Sequence, residues 1–197
     1  MKILVIDSLP QDNDVEKVSF TTVPPSQDYI DHSQHTLSVF KETLPEAELV
    51  FCNIAYNQCD GTYYSCLENH KNFNKALMWA KKQKFDAVYA QVQFYCRLGA
   101  NASSVRKHRL AQKLTSECIK ELGIPIVCPA ENSESETVEG VEFSPSMEEA
   151  EYVCSRGYKR KNATLVTSRK YRYTSELAVV RLKQLLSPSR GSRRSWL

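Results

Sequence analysis

Four residues along this chain could together perform nucleophilic catalysis: Asp7 in KILVIDS, His32 in DHSQH, Asn132 in PAENS and Ser175 in YTSEL. When an Asp, a His and a Ser meet in space, the Asp orients the His, the His takes the hydroxyl proton of the Ser, and the Ser attacks an electrophile. An Asn side chain can donate a hydrogen bond to the oxyanion that forms. The chain order Asp, His, Ser is one of those in which such triads occur. We therefore treat these four residues as a candidate catalytic set.

Each of these residues also has an explanation that involves no chemistry. An Asp at the end of a strand can simply cap a turn. The pair Thr174-Ser175 before an apolar run is a preferred helix cap. Glu176 stabilises the first turn of such a helix through the helix dipole, whether or not a reaction takes place. What favours catalysis is the joint position of the four residues at the ends of predicted strands and helices.

The composition is that of an ordinary globular domain. The chain has 197 residues, of which 42% are hydrophobic and 25% charged, which is enough for one substantial core. The net charge of +3 is too small to indicate nucleic acid by itself. No apolar run approaches the roughly 20 residues that a bilayer span needs, and residues 1–10 become acidic too early for a signal peptide. We expect a cytoplasmic protein without a membrane partner.

Cysteine usage supports the same compartment. The seven cysteines are odd in number and include no C-x-x-C pair, which favours reduced thiols over a disulfide framework. Cys52, Cys59 and Cys66 recur every seven residues, so a metal site stays open beside the alternative of buried small hydrophobes and loop thiols. His32 and His35 could also share a metal, but no third ligand accompanies them. We predict no metal, and the proposed chemistry needs no cofactor.

Apolar segments of strand and helix type alternate along the chain. Strands are predicted at 2–6, 48–56, 86–94 and 124–130, with short strands within 152–167. Helices are predicted from about 33 to 44 and at 72–84, 102–122 and 175–186. The segments 8–31, 57–69 and 131–140 are predicted to be mostly loop. Near-continuous apolar strands indicate a parallel sheet that is covered on both faces. The fold prediction is α/β, in three α/β/α layers with a mostly parallel sheet, over residues 1–187. Residues 188–197 are predicted to be a basic, flexible tail.

This architecture would bring the four candidate residues together. Functional groups of such sheets lie just past the carboxyl ends of the strands. Asp7 ends the first predicted strand, and Asn132 lies two residues beyond the strand that ends at 130. His32 and Ser175 lie at predicted helix starts, where backbone N–H groups and the helix dipole favour a developing anion. All four can therefore converge at one edge of the sheet.

These segments resemble those of the subtilisin-like serine proteases, or subtilases. VIDS at 5–8 and HSQH at 32–35 are similar to the family's segments around its catalytic Asp and His. GIPIVCPAENS at 123–133 resembles the strand that leads to the family's Ala-Gly-Asn, and YTSELAVVRLKQLLS at 173–187 resembles its Gly-Thr-Ser-Met-Ala helix. The noncatalytic segments at 44–56 and 76–92 are similar as well, so the resemblance covers most of the chain.

The resemblance implies a minimal, divergent serine endopeptidase that acts on a protein or peptide. In this family's roles, Ser175 would be the nucleophile, His32 the general base and Asp7 the residue that orients His32. Asn132 would serve the oxyanion hole.

The residues around the implied cleft depart from the family. Gln91, Val92 and Gln93 stand where the family has its Ser-Leu-Gly substrate strand, so the resemblance implies that they bind substrate. Glycines beside the oxyanion Asn and the nucleophile are replaced by Glu131 and Tyr173. Because glycine lets a peptide backbone approach closely, these changes predict a narrower or altered cleft.

Two other functions stay open. The lost glycines would also suit a catalytically inactive binding or regulatory protein on a subtilase scaffold. The basic residues at 106–109 and 188–197 suggest a nucleotide- or nucleic-acid-binding domain. The sequence contains no G-x-G-x-x-G motif and no P-loop to support this function, so we do not expect a nucleic acid partner. The sequence carries no signal for an oligomeric state.

Overall fold

A computed structural model of the chain describes residues 1–54, 63–91, 95–97, 110, 113–115, 117–131, 141–143, 152–155, 164–166 and 174–187. The strands are β1 Lys2–Ile6, β2 Glu16–Ser19, β3 Glu48–Asn53, β4 Ala87–Ala90, β5 Tyr95–Arg97, β6 Ile126–Glu131, β7 Val141–Phe143, β8 Tyr152–Ser155 and β9 Thr164–Val166. The helices are α1 Gln27–Thr43, α2 Tyr63–Lys82, α3 with its helical residues 113–115 and 117–122, and α4 Thr174–Leu186.

Within these ranges, seven strands form one sheet in the order β2-β3-β1-β4-β6-β8-β9. Every neighbouring pair in this sheet is parallel. Strands β5 and β7 form a separate antiparallel pair. The parallel sheet confirms the prediction from the apolar strand patterns.

The sheet is covered by helices on both faces, and side-chain alternation along β1 shows how. Leu4 and Ile6 belong to the core under α2 and α3, whereas Ile3 and Val5 belong to the core under α1 and α4. Successive residues of a strand point to opposite faces, so the covered part of β1, from Ile3 to Ile6, is apolar at every position. This arrangement is the predicted three-layer α/β/α fold.

Helix α1 begins earlier than its apolar pattern predicts. The expected start near Ser33 is wrong, because the helix begins at Gln27. The first turn is largely exposed, so it carries no apolar periodicity from which its start could be read. Further along, Phe40 packs edge-to-face on Tyr89 of β4, with ring centroids 5.2 Å apart. The helix ends just before Pro45, as expected.

Helix α2 also extends further toward its N-terminus than predicted. Residues 63–69 were expected to be loop and are helical. Polar residues occupy part of the buried side of this helix: the Asn72 amide donates to the Ile54 carbonyl at 3.1 Å, and His70 Nδ1 lies 3.1 Å from Thr115 Oγ1. Asn69 and His70, just before the predicted helix, are both buried and polar, so no apolar pattern continues from that helix toward residues 63–69.

Strand β2 lies within residues 8–31, which are predicted to be mostly loop. It is an edge strand that pairs only with β3 in the described sheet and is mostly exposed. An exposed edge strand lacks the apolar run from which buried strands are recognised.

Other predicted elements agree with the structure. Strand β1 and helix α4 have nearly their predicted bounds, and β8 and β9 supply the short strands expected within 152–167. Gly123 has a φ of +75° directly after α3, which confirms it as the C-terminal cap. No helix in the described ranges is both long and apolar enough to traverse a bilayer. Of the predicted loop at 131–140, Glu131 instead ends β6, and 132–140 lie outside the described residues, as does the predicted tail at 188–197.

Candidate active site

Asp7 continues the alternation of β1 toward the face that α1 covers. It follows Ile3 and Val5 at two-residue spacing, and its backbone N–H donates to the Cys52 carbonyl of β3 at 3.1 Å. The Asp7 side chain is only 5% exposed. A carboxylate this buried needs hydrogen-bond donors around it, and the chain supplies them from two elements.

The first donor group is His32, in the second turn of α1. Its Nδ1 atom lies 3.2 Å from each carboxylate oxygen of Asp7. This hydrogen bond raises the pKa of His32, while partial burial of the ring opposes the rise. With Nδ1–H directed at Asp7, the basic nitrogen of neutral His32 is Nε2, as a general base requires. The structure therefore brings two of the four candidate residues into contact.

Two further donors hold the same carboxylate. The Ser8 backbone N–H donates to Oδ1 of Asp7 at 2.7 Å, and the Thr36 hydroxyl donates to Oδ2 at 2.9 Å. Thr36 is fully buried and lies one helical turn after His32. The sequence reasoning missed it, although a signal existed: a polar residue four positions after His32, beside buried Leu37, on the inner face of a helix.

The strand order places this pair at the point where the chain changes direction. From β1 the chain builds β2 and β3 on one side, and then crosses to β4 on the other side. Ligands of open α/β sheets bind at such switch points, beyond the carboxyl ends of the strands. Gln91 directly follows β4 and lies beside the end of β1, since its N–H donates to the Ile6 carbonyl at 2.8 Å. The Tyr89 hydroxyl donates to Oε1 of Gln91 and thereby fixes its amide.

Helix α4 packs beside α1 on the same face of the sheet. The Lys183 ammonium donates to the Thr43 carbonyl at 2.7 Å, which joins the last turns of the two helices. Ser175 is the second residue of α4.

The remaining predicted site residues fall largely outside what the structure describes. The Ser175 side chain is one of these, and so are Asn132, Val92 and Gln93. Asn132 directly follows Glu131, the last residue of β6, which neighbours β4 in the sheet. The proposed roles of Asn132, Ser175, Val92 and Gln93 stay predictions from the sequence.

In the described part of the chain, no three His, Cys, Asp or Glu side chains group as metal ligands would. Cys52 is fully buried in the core, and burial raises the pKa of its thiol. It therefore behaves as a small hydrophobic residue. Cys59 and the side chain of Cys66 lie outside the described residues.

Comparison with known proteins finds solved structures of similar fold but no relative by sequence. No family model matches the chain, and no curated protein does either. Among solved structures, the fold is similar to the prenylagaramide maturation protease PagA, at 11% identity and a TM-score of 0.53, over 91% of this chain and 72% of that one. It is also similar to the self-cleaved protease domain of PatA, at 11% identity and a TM-score of 0.52, over 91% of this chain and 76% of that one. A lanthipeptide protease is similar at 13% identity and a TM-score of 0.50, over 78% of this chain and 47% of that one.

These structural neighbours are subtilisin-like proteases. At such low identity the likeness concerns the fold alone. The chain therefore has a subtilisin-like α/β fold, which confirms the resemblance noted in the sequence at the level of architecture.

Proposed function

We propose that this protein is a serine endopeptidase. The observation that carries the proposal is the Asp7–His32 hydrogen bond at the switch point of a subtilisin-like sheet. A buried carboxylate on Nδ1 of a half-exposed imidazole is the arrangement of an orienting acid and a general base. This pair follows the carboxyl end of β1, the edge at which open α/β sheets bind their ligands.

In the proposed reaction, Nε2 of His32 accepts the hydroxyl proton of Ser175 while Ser175 Oγ attacks the scissile carbonyl. Asp7 stabilises the imidazolium that results, and His32 then returns the proton to the leaving amine. The oxyanion is stabilised by the Asn132 amide and by the Ser175 N–H at the start of α4, where the helix dipole is favourable. No cofactor takes part.

The substrate is proposed to be a protein or peptide in extended conformation. It would lie along Gln91, Val92 and Gln93, which follow β4, as an added strand. The catalytic domain would comprise residues 1–187 and act in the cytoplasm, with 188–197 as a basic tail.

A fluorophosphonate probe tests the proposal, because it reacts covalently with an activated serine hydroxyl and requires no knowledge of the natural substrate. The wild-type protein should be labelled and Ser175→Ala should not. Ser187→Ala is the matched control: it removes an exposed hydroxyl at the end of the same helix, where Ser187 Oγ donates to the Lys183 carbonyl at 2.7 Å. It should be labelled like wild type.

Absence of labelling in folded wild-type protein would favour the alternative of an inactive binding or regulatory protein on this fold. The replacement of family glycines by Tyr173 and Glu131 is the observation that motivates this alternative. Labelling that persists in Ser175→Ala would instead show that the nucleophile is a different residue.

A further inference from the structure

The buried hydroxyl of Thr36 does not bind the acceptor that is usual for a Thr within a helix. A Thr within a helix commonly donates its hydroxyl proton to the carbonyl four residues earlier, which here is that of His32. Thr36 instead donates to Oδ2 of Asp7 at 2.9 Å. The side chain has no exposed surface, so no solvent competes for this hydrogen bond.

The two fixed donors constrain different oxygens of the carboxylate. Ser8 N–H belongs to the backbone at the end of β1 and binds Oδ1, while the Thr36 hydroxyl belongs to α1 and binds Oδ2. A planar carboxylate that is held at both oxygens cannot rotate about its Cβ–Cγ bond without breaking one of these bonds. In this orientation both oxygens lie 3.2 Å from Nδ1 of His32.

We propose that Thr36 is a positioning residue, which locks the Asp7 carboxylate in the plane and direction that orient His32. The Asp7 carboxylate thus connects the backbone after β1, through Ser8, to helix α1, through Thr36. Thr36 and His32 lie one turn apart on the same face of α1, so the carboxylate is held beside the ring that it orients. The effect of Thr36 on catalysis rests on the proposed function, but its effect on the Asp7–His32 geometry does not.

The test compares Thr36→Val, which keeps the shape and removes the hydroxyl, with Thr36→Ser, which keeps the hydroxyl. The pKa of His32 is followed by NMR titration of its ring protons. Thr36→Val should lower this pKa toward its ordinary value, because the displaced carboxylate no longer bonds Nδ1. Thr36→Ser should retain the raised pKa.

The direction of the shift separates positioning from a purely electrostatic role. If the hydroxyl only neutralised part of the carboxylate charge, its removal would strengthen the attraction of Asp7 for protonated His32 and raise the pKa. A pKa that rises or stays unchanged in Thr36→Val therefore overturns the proposal.

Ser33→Ala is the matched control. It also removes a buried hydroxyl of α1, but Ser33 Oγ donates to the Ile30 carbonyl at 2.8 Å and does not bind Asp7. The His32 pKa should stay raised in this variant.

The catalytic consequence is measured by the rate of fluorophosphonate labelling. Thr36→Val should slow labelling about 10- to 100-fold, as expected for a misplaced catalytic group, and Thr36→Ser should restore most of the rate. If wild type is not labelled at all, the proposed function fails while the NMR comparison still decides the positioning role.

A second measurement covers the case in which Thr36→Val does not fold. A hydroxyl proton that is buried against a carboxylate is protected from exchange and gives an NMR signal of its own. The Thr36 hydroxyl signal should be present in wild type and shift or vanish in Asp7→Ala. A signal that Asp7→Ala leaves unchanged would contradict the assigned hydrogen bond.

Discussion

Replacement of Asp7 by Asn tests the proposed chemistry with the smallest change of shape. The substitution exchanges one carboxylate oxygen for an NH2 group. The Ser8 N–H can only donate, so the atom at the Oδ1 position must remain an oxygen. The Thr36 hydroxyl can rotate and accept a hydrogen bond, so the NH2 group takes the Oδ2 position. There it lies 3.2 Å from Nδ1 of His32, and the retained oxygen at the Oδ1 position lies at the same distance from Nδ1.

The consequence is the loss of the negative charge beside Nδ1. The oxygen at the Oδ1 position can still accept from Nδ1–H, but a neutral amide does not stabilise the imidazolium that forms when Nε2 takes the proton of Ser175. General-base catalysis contributes about 10²- to 10⁴-fold, so labelling should slow by a factor in this range. The free energy of unfolding should fall by about 1.5–3 kcal/mol, the range for hydrogen bonds to a charged group.

The assay is the rate of fluorophosphonate labelling, combined with NMR titration of the His32 ring protons, because loss of the carboxylate charge should lower the raised pKa of His32 toward its ordinary value. Asp12→Asn is the control, since the Asp12 carboxylate binds the Lys41 ammonium at 2.6 Å. The reasoning is refuted if Asp7→Asn is labelled within tenfold of the wild-type rate, or if the pKa of His32 stays raised.

Two further predictions follow from the same contacts and from the backbone. Because the folded-state pKa of His32 is raised above its ordinary 6.5, protonated His32 stabilises the fold below that pH, and this contribution is lost as the pH rises through the folded-state pKa. The difference in unfolding free energy between wild type and His32→Ala, measured by denaturant titration, should therefore shrink with rising pH; growth with pH would contradict the sign. Gly123→Ala should lower the unfolding free energy by about 1–2 kcal/mol, since a left-handed backbone costs that much with a Cβ, and no atom lies within 4 Å of that Cβ to add a clash. Gly123→Asn should cost less, and equal losses in the two variants would argue against this cause.

The fold was predictable wherever burial imposes a period on the sequence. Strand β1 is apolar at every position from Ile3 to Ile6 because helices cover both of its faces, and the inner residues of α4, Ala178 and Leu182, recur at helical spacing. The errors fall where burial gives no such period. The first turn of α1 is exposed, Asn69 and His70 on the buried side of α2 are polar, and β2 is a mostly exposed edge strand.

The same distinction explains why the site could be foreseen only in part. A parallel sheet gathers the carboxyl ends of its strands at one edge, so the end of β1 could be expected to meet a helix start there. The contact itself depends on where α1 begins. A helix that started at Ser33 would leave His32 outside its hydrogen-bonded turns, and no helical spacing would then align His32 with Thr36. Because α1 begins at Gln27, the two side chains lie one turn apart on the same face and both reach the carboxylate of Asp7. The geometry on which the proposed catalysis depends is therefore set by an exposed helical turn that carries no apolar signal.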